Sequence, residues 1–253
     1  MEILSSLKNP RVMLWRSLKE RKGRRESGCF LVEGAKMVQE ALASGFPVEA
    51  VLVDEARAGD FPLPAGVPVF GMPAHVLAAV CDTKTPQGIA AVVRAAFPER
   101  LGARIVALDG VQDPGNVGTI IRTADAAGLG GVILTPQCAD PFSPKVLRAT
   151  MGSIFRVPLR MVSDLSGEML RLRESGMSVI SSQLDGEPFY RRSGVGDSFC
   201  LLVGNEGNGI SEAVKATATH RVKLPMRGGA ESLNAAVAAG IMMYDLMRDA
   251  MED

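Results

Sequence analysis

Hydrophobic and polar positions divide the chain into two stretches with different patterns. In residues 1–95, a basic helix and a second helix over residues 34–44 precede three short β-rich runs, VEAVLVD, VPVF and QGIAAVV. Proline and glycine separate these runs, which is typical of short strands joined by turns. The pattern predicts a small α/β unit.

The second stretch begins at residue 104. Residues 96–103 (AFPERLGA) before it fit neither the helical nor the strand pattern of hydrophobic positions. Apolar runs such as RIVALDG, MSVISSQ and SFCLLVGN then alternate with helical patterns such as GNVGTIIRTADAAG and SPKVLRATMGSIF. This order predicts an α/β fold with a mostly parallel sheet, and domains over residues 1–97 and 104–253. Ligands of such sheets bind beyond the carboxyl ends of the strands, so the loops there are the candidate site.

The first candidate loop, DPGNVGTIIRTADAAG, follows the run that ends at Asp109. Asn116 occupies the position that we predict for a helix N-cap, and Arg122 projects from the polar side of the helix. A plain capped helix, with Arg122 solvated or paired with Asp125, explains the same residues.

The second candidate loop, LVGNEGNGIS, has three glycines around Glu206. Glycines at this density permit positive φ angles or the close approach of a ligand to the backbone. Their spacing is not GxGxxG, so a dinucleotide-binding fingerprint is not indicated. A glycine-rich turn with an exposed glutamate is the alternative interpretation.

The third candidate loop, LPMRGGAESLNAAVAAGI, leads into an alanine-rich helix that has Ser232 and Asn234 at its start. Pro225 and the pair of glycines at 228 and 229 predict an irregular strand exit. Ser232 acting only as a helix cap, with the alanines forming a tight helix interface, accounts for every residue of this loop.

Taken together, the three loops resemble the signature motifs of the SpoU (TrmH-type) class of SPOUT RNA methyltransferases. One departure is Thr150 in RATMGS, where many members have serine. The residues that match the motifs are Asn116 and Arg122 in the first loop, Gly204 and Glu206 in the second, and Leu224, Pro225, Met226, Ser232, Leu233 and Asn234 in the third.

The resemblance implies a fold that periodicity does not predict. SPOUT enzymes have a mostly parallel α/β sheet whose C-terminal chain forms a trefoil knot, whereas chains ordinarily avoid knots. The N-terminal stretch SLKNPRVMLWRSLKERKGRRESGCFLVEG also resembles the small α/β, ribosomal-protein-like RNA-binding domain of many rRNA-directed members. We therefore expect an RNA substrate-binding domain followed by a knotted catalytic domain.

The resemblance further implies methylation of a ribose 2'-oxygen in RNA, with S-adenosylmethionine as the cofactor and 23S-type rRNA as the substrate. Arg122 is most often given the catalytic role in this family. Because an arginine stays protonated in proteins, we expect it to orient a phosphate and stabilise negative charge rather than act as a base. The implied catalytic residues are Arg122, Asn116, Glu206, Ser232 and Asn234, and the implied cofactor-binding residues are Gly204, Leu224, Met226, Leu233 and Ser181.

Charge supports an RNA partner only through its distribution. The formal net charge is zero, but residues 1–25 have eight basic and two acidic side chains, which leaves −6 for the rest of the chain. Such a cluster can neutralise phosphates, although a solvated helix face has the same composition. The predicted RNA-binding residues are Lys8, Arg11, Arg16, Arg24 and Arg25.

The number and spacing of cysteines and histidines argue against a metal site and against a framework of disulfide bonds. The four cysteines are more than fifty residues apart, and the chain has only two histidines. No secretory signal is evident, and the longest apolar run, residues 235–244, is too short to span a bilayer. These features predict a cytoplasmic protein without a metal or a membrane partner.

Family members dimerise, so we expect a homodimer. The last helix supplies an apolar surface for such an interface, and burial within one subunit is the alternative. The residues of that surface are Ala235, Ala239, Met242, Met243 and Leu246.

Three other functions stay open at this point. A tRNA 2'-O-methyltransferase and a non-catalytic RNA-binding protein both fit the same fold. A nucleotide-dependent oxidoreductase fits the alternation of strands and helices but lacks the GxGxxG loop. The sequence leaves the target nucleotide open.

Overall fold

The computed structural model describes residues 1–251, so the last two residues of the predicted second domain lie outside the described part. The fold separates into two compact units. The first joins Met1–Ala96 with Asp140–Arg156, and the second joins Phe97–Ala139 with the chain from Val157 onward. The two-domain division at residues 97–104 stays a prediction, and it did not anticipate that residues 140–156 group with the first unit.

Strands and helices are numbered in chain order. The strands are β1 Glu2–Ile3, β2 Cys29–Glu33, β3 Val48–Asp54, β4 Val69–Met72, β5 Ile89–Arg94, β6 Arg104–Asp109, β7 Val132–Leu134, β8 Leu159–Met161, β9 Ser178–Pro188, β10 Phe199–Gly204 and β11 His220–Lys223. The helices are α1 Pro10–Ser17, α2 Arg21–Ser27, α3 Ala35–Ala43, α4 Ala74–Val80, α5 Pro114–Ala126, α6 Pro144–Thr150, α7 Leu165–Glu174, α8 Glu212–Lys215, α9 Ala235–Leu246 and α10 Arg248–Met251.

The first unit has a five-stranded mixed sheet in the order β1-β4-β3-β5-β2. Helix α1 begins at Pro10 because the side chain of Asn9 caps it by accepting from the N–H of Arg11. Its apolar face is buried, and Trp15 packs against Phe70 of the sheet with ring centroids 5.2 Å apart. The predicted α/β character of this stretch is confirmed. Strand β2, which directly follows the basic region, was not among the predicted strands.

Residues 140–156 belong to the first unit through polar and aromatic contacts. Asp140 accepts from the guanidinium of Arg24 at 2.8 Å and 2.7 Å. Phe142 stacks on Phe30 at 4.5 Å between centroids. The helix predicted over SPKVLRATMGSIF ends early, at Thr150, because Met151 has a left-handed conformation with φ of 51°.

The second unit has a six-stranded sheet in the order β11-β9-β10-β6-β7-β8, and every neighbouring pair is parallel. This confirms the predicted parallel sheet. Strands β6 and β10 are continuous buried runs, which is typical of parallel strands covered on both faces. Their register pairs Asp109 with Gly204, so both strands end at the same edge of the sheet.

Two features of the chain as a whole bear on the earlier expectations. Within residues 1–251, no helix combines the length and the apolarity that crossing a bilayer requires. The trefoil knot implied by the resemblance stays a prediction.

Candidate active site

The first loop follows β6 and leads into α5. Asp113 is the N-cap of this helix, since its side chain accepts from the N–H of Asn116 at 2.8 Å and Pro114 occupies the first helical position. The prediction that Asn116 is the N-cap is therefore wrong. Asn116 lies in the first turn, where it is 7% exposed and its side chain can bond to other loops.

The second loop is a tight turn after β10. The backbone groups of Asn205 and Gly209 exchange two hydrogen bonds, both 2.9 Å long. Gly209 has φ of +69°, and a Cβ built on Gly204 would overlap the backbone of Gly209 and Ile210. Glycine is therefore required at both positions by the turn itself.

Glu206 projects from this turn onto the first loop. Its carboxylate accepts from the N–H of Gln112 at 3.1 Å, from the N–H of Asp113 at 3.2 Å and from Nδ2 of Asn116 at 2.9 Å. Partial burial acts to raise the pKa of Glu206, but the hydrogen bonds from Asn116 and the two backbone groups outweigh it and hold that pKa below its usual value. Glu206 is therefore a carboxylate that orders the loop opposite it.

The third loop joins the same network through Asn234. Asn234 is the N-cap of α9, and its Oδ1 accepts from the N–H groups of Ala236 at 2.9 Å and Val237 at 3.2 Å. Its Nδ2 donates to Oδ1 of Asn116 at 2.8 Å. A continuous chain of side-chain hydrogen bonds thus runs from Asn234 through Asn116 to Glu206, and it connects all three loops.

Ser232 and Arg122 are not part of this chain of hydrogen bonds. Ser232 is exposed in the segment before α9, so the alternative in which it caps the helix is wrong. Arg122 is exposed on α5, six residues and about 9 Å of helix beyond Asn116. The structure gives its guanidinium no ion pair within residues 1–251. The catalytic roles of both residues stay predictions.

The predicted cofactor-binding residues lie in two kinds of surroundings. Gly204 ends β10, whereas Leu224, Met226 and Leu233 lie in the irregular segment between β11 and α9, with Met226 and Leu233 each 37% exposed. Ser181 is fully buried in β9, where its Oγ accepts from the side-chain amide of Gln183 at 2.8 Å. Ser181 is thus already hydrogen-bonded within its own strand.

The segment over residues 224–233 fits S-adenosylmethionine through its main chain. Among the described residues, its backbone forms no hydrogen bond to other backbone groups. Added Cβ atoms on Gly228 and Gly229 would meet open space. Main-chain N–H and C=O groups, followed in the chain by the amide of Asn234, form a donor and acceptor set suited to an adenosine and a methionine chain.

Sequence reasoning missed three residues that build the site. Asp113 caps α5, the N–H of Gln112 donates to Glu206, and Asn205 closes the turn that contains Glu206. The Asp-Pro pair directly before a helical pattern is a signal that could have identified Asp113 as the N-cap. No local pattern identifies Gln112, because its partner lies in a different loop, whereas an asparagine two residues before a glycine is a turn signal that could have identified Asn205.

The predicted RNA-binding residues of the first unit differ in exposure. Lys8, Arg11, Arg16 and Arg25 are exposed, and Arg11 pairs with Glu2 at 2.8 Å. Arg24 is 8% exposed, and its guanidinium also donates to the backbone oxygens of residues 18 and 19 at 2.8 Å and 2.7 Å. Because those contacts and the Asp140 ion pair engage the guanidinium inside the unit, the assignment of Arg24 to RNA binding is corrected to a structural role.

The last helix exposes a different face from the one predicted. Ala239, Met242 and Met243 are buried, and α9 packs against α5. The apolar side chains that stay on the surface are Val237, Ile241 and Tyr244, which are 52%, 37% and 46% exposed. Their spacing of four and three residues puts them on one side of the helix.

Comparison with known proteins identifies relatives over nearly the whole chain. Residues 103–244 match the model of the SpoU rRNA Methylase family, and residues 9–91 match the MRM3-like substrate binding domain. The 23S rRNA (guanosine(2553)-2'-O)-methyltransferase RlmP of Bacillus subtilis (strain 168) is 38% identical, with the alignment covering 97% of this chain and 99% of the relative.

Solved structures agree with the sequence matches. The SpoU methyltransferase AviRb of Streptomyces viridochromogenes, in complex with the cofactor AdoMet, has a TM-score of 0.85 and 29% identity over 96% of this chain and 99% of its own. The AdoMet-bound rRNA methyltransferase of Sinorhizobium meliloti has a TM-score of 0.86 and 32% identity over 98% of both chains. The resemblance carried by the three loops is thereby confirmed, and the chain belongs to the SpoU rRNA Methylase family.

Proposed function

We propose that this enzyme transfers a methyl group from S-adenosylmethionine to a ribose 2'-oxygen in RNA, and that its substrate is 23S-type rRNA. The observation that carries the proposal is the hydrogen-bonded chain from Asn234 through Asn116 to Glu206, which joins the three loops that bear the family motifs. The name of the Bacillus relative, a 23S rRNA 2'-O-methyltransferase, supports the choice of RNA.

The cofactor would be held mainly by main-chain groups. S-adenosylmethionine, when bound, supplies a methyl group on a sulfonium, which is a good leaving group, so positioning by the protein can provide much of the remaining rate. Gly204, Leu224, Met226 and Leu233 offer backbone groups at the strand end and in the open segment. Ser181 would support the pocket from β9, since its hydroxyl is buried and already bonded.

Arg122 would hold the RNA rather than the cofactor. It is exposed and has no ion-pair partner within residues 1–251, so its guanidinium fork is available to a phosphate. A fixed positive charge there would also stabilise negative charge that develops on the ribose oxygen. Ser232, exposed beside α9, would contribute a hydroxyl that orients the ribose.

Glu206, Asn116 and Asn234 would act by fixing the loops. Each of the three uses its side chain to bond to another loop, and Asn234 also caps α9. Removal of Glu206 or Asn234 deprives the buried side chain of Asn116 of a partner, which costs about 1–3 kcal/mol, whereas removal of Asn116 leaves two exposed side chains that water can satisfy. We therefore assign them to ordering the site, with direct contact to cofactor or ribose as their further role.

The first unit would recognise the RNA. Lys8, Arg11, Arg16 and Arg25 are the exposed members of the predicted set, and their contacts to phosphate would be sensitive to salt. The match of residues 9–91 to a substrate binding domain supports this assignment.

A homodimer in the cytoplasm completes the proposal. The apolar stripe of Val237, Ile241 and Tyr244 on α9 is suited to an interface because large apolar side chains in one row are unfavourable in water. Replacing Ile241 with aspartate should give a monomer in sedimentation at micromolar concentration. An unmodified chain that is already a monomer under the same conditions would reject the dimer.

The test of the proposed function is methyl transfer to purified RNA. The full chain is incubated with methyl-labelled S-adenosylmethionine and with total rRNA or total tRNA, and the alkali-resistant linkage is mapped. Label in 23S-type rRNA at a ribose supports the proposal. Label only in tRNA corrects the substrate, and cofactor binding without transfer to either RNA indicates a non-catalytic RNA-binding protein.

A further inference from the structure

The turn that carries Glu206 is closed by the residue before it. Oδ1 of Asn205 accepts from the N–H groups of Gly207 at 2.9 Å and Asn208 at 3.0 Å. The backbone of Asn205 also exchanges two bonds with Gly209. Asn205 thus closes the turn through its main chain and its side chain, and Glu206 is the first residue inside it.

The amide nitrogen of the same side chain reaches the residue that follows β6. Nδ2 of Asn205 donates to the backbone oxygen of Gly110 at 2.8 Å. Gly110 begins the segment whose N–H groups at Gln112 and Asp113 bind the Glu206 carboxylate. The bond therefore holds the turn beside the groups that Glu206 must reach.

Besides the bonds of Glu206 itself, the loop has a further anchor at its far end. Oδ2 of Asp109 accepts from the N–H of Ser211 at 2.8 Å, at the far end of the loop. Glu206, Gly207 and Asn208 between the two anchors are exposed. The amide of Asn205 is thus the anchor adjacent to Glu206 in the chain.

We infer that Asn205 is a positioning residue for the proposed methyl transfer. Its amide fixes Glu206 against the first loop, and through Asn116 it fixes Asn234 at the start of α9. The inference rests on the proposed function, because the ordered loops are those assigned to the cofactor and the ribose. Asn205 acts through Glu206 rather than on the reacting atoms.

Two variants of Asn205 separate its two roles. Asn205→Ala removes both the turn bonds and the bond to Gly110. Asn205→Ser retains an acceptor for the N–H two residues ahead but is too short to reach Gly110. Asn208→Ala is the matched control, since it changes an exposed asparagine of the same turn.

The experiment uses the full chain and two measurements. Carbon-13 NMR of the Glu206 carboxyl follows its titration without cofactor, and calorimetry follows binding of S-adenosylhomocysteine. Both Asn205 variants should raise the midpoint pH of Glu206 and weaken binding about tenfold, the effect of losing one oriented hydrogen bond. Asn208→Ala should change neither.

A normal Glu206 midpoint and normal affinity in Asn205→Ser would overturn the inference. So would a fall in Tm with an unchanged midpoint, because that pattern belongs to a structural role alone. If Asn205→Ala does not fold, Asn205→Ser decides. Failure of the proposed function is distinguishable, since it would appear as absent methyl transfer by the unmodified chain, whereas the NMR titration needs neither RNA nor cofactor.

Discussion

Nδ2 of Asn116 donates a hydrogen bond to Oε1 of Glu206 across 2.9 Å, although the two residues are 90 positions apart in the chain. The bond favours the ionised carboxylate, since a carboxylate is a better acceptor than a protonated acid. Protonation of Glu206 should therefore weaken the connection between the first and second loops, and acid should loosen the site before it affects the apolar core.

We expect thermal stability to depend on pH through Glu206. A carboxyl whose pKa is lower in the folded protein stabilises the fold above its unfolded pKa, about 4.3, and this contribution is lost as the pH falls through the folded pKa. Glu206→Gln removes this contribution, so the variant is compared with the unmodified chain. The Tm difference between the two proteins should be largest near neutral pH and should shrink in acid.

The control for this prediction is Glu212→Gln. Glu212 is 88% exposed and pairs with Lys215 on α8, so its replacement should change Tm little at any pH. A Tm difference between Glu206→Gln and the unmodified chain that stays constant from neutral pH into acid would contradict the prediction.

The sequence predicted those parts of the fold that local patterns encode. The run VEAVLVD is β3 at the predicted residues, and the alternation from residue 104 gave the parallel sheet. Residues 140–156 could not be assigned in this way. Their place in the first unit depends on contacts such as Arg24 with Asp140, 116 positions apart, which no window of the sequence contains.

The sequence predicted three members of the site but not the hydrogen bonds that join them. Motif resemblance selected Asn116, Glu206 and Asn234, and the structure brings these three together. The helix cap was misassigned because aspartate and asparagine both cap helices, and Pro114 is what marks Asp113 as the cap. The bond from Asn205 to Gly110 depends on the register of β10 against β6, which is a tertiary property.

Arg122→Ala should retain cofactor binding and lose methyl transfer. Arg122 is exposed and outside the chain of hydrogen bonds that orders the loops, so its removal leaves that chain intact. Loss of one group that stabilises developing charge typically lowers kcat about 10²–10³-fold. Calorimetry with S-adenosylhomocysteine and a transfer assay on rRNA measure the two effects separately.

Two further variants sharpen this prediction. Arg122→Lys retains the charge without the planar fork and should recover only part of the rate. Arg100→Ala removes another exposed arginine of the same unit and should leave transfer unchanged. Near-normal turnover of Arg122→Ala would remove Arg122 from the mechanism.

Arg24 and Arg25 are adjacent in sequence and should respond oppositely to replacement. Arg24→Ala leaves Asp140 without its buried partner, so we expect a loss of about 3–5 kcal/mol in the free energy of unfolding. Arg25→Ala should leave stability unchanged, because Arg25 is exposed, and should weaken RNA binding and reduce its salt dependence.

Urea denaturation and RNA binding at several salt concentrations test the two variants, Arg24→Ala and Arg25→Ala. Equal stabilities for the two variants would show that the Arg24 ion pair contributes little. An Arg25→Ala protein whose affinity for rRNA and whose salt slope both match the unmodified chain would exclude Arg25 from the RNA-binding surface.

Met151→Gly should increase stability, because Met151 ends α6 in a left-handed conformation, with φ of 51° and ψ of 34°. That conformation costs a residue with a Cβ about 1–2 kcal/mol, whereas glycine adopts it freely and instead loses more backbone entropy on folding. Met151 is 50% exposed, so the apolar burial lost is about half that of a core methionine. The two backbone effects together should leave a gain of about 0.5–1 kcal/mol.

Ala149→Gly is the matched control for this gain, since residue 149 lies inside the same helix in an ordinary helical conformation. There the entropy loss acts alone and should lower the free energy of unfolding by about 1 kcal/mol. Opposite signs in urea denaturation would show that the backbone at Met151 is strained. If both variants lose stability equally, the side chain of Met151 makes contacts that outweigh its conformational cost.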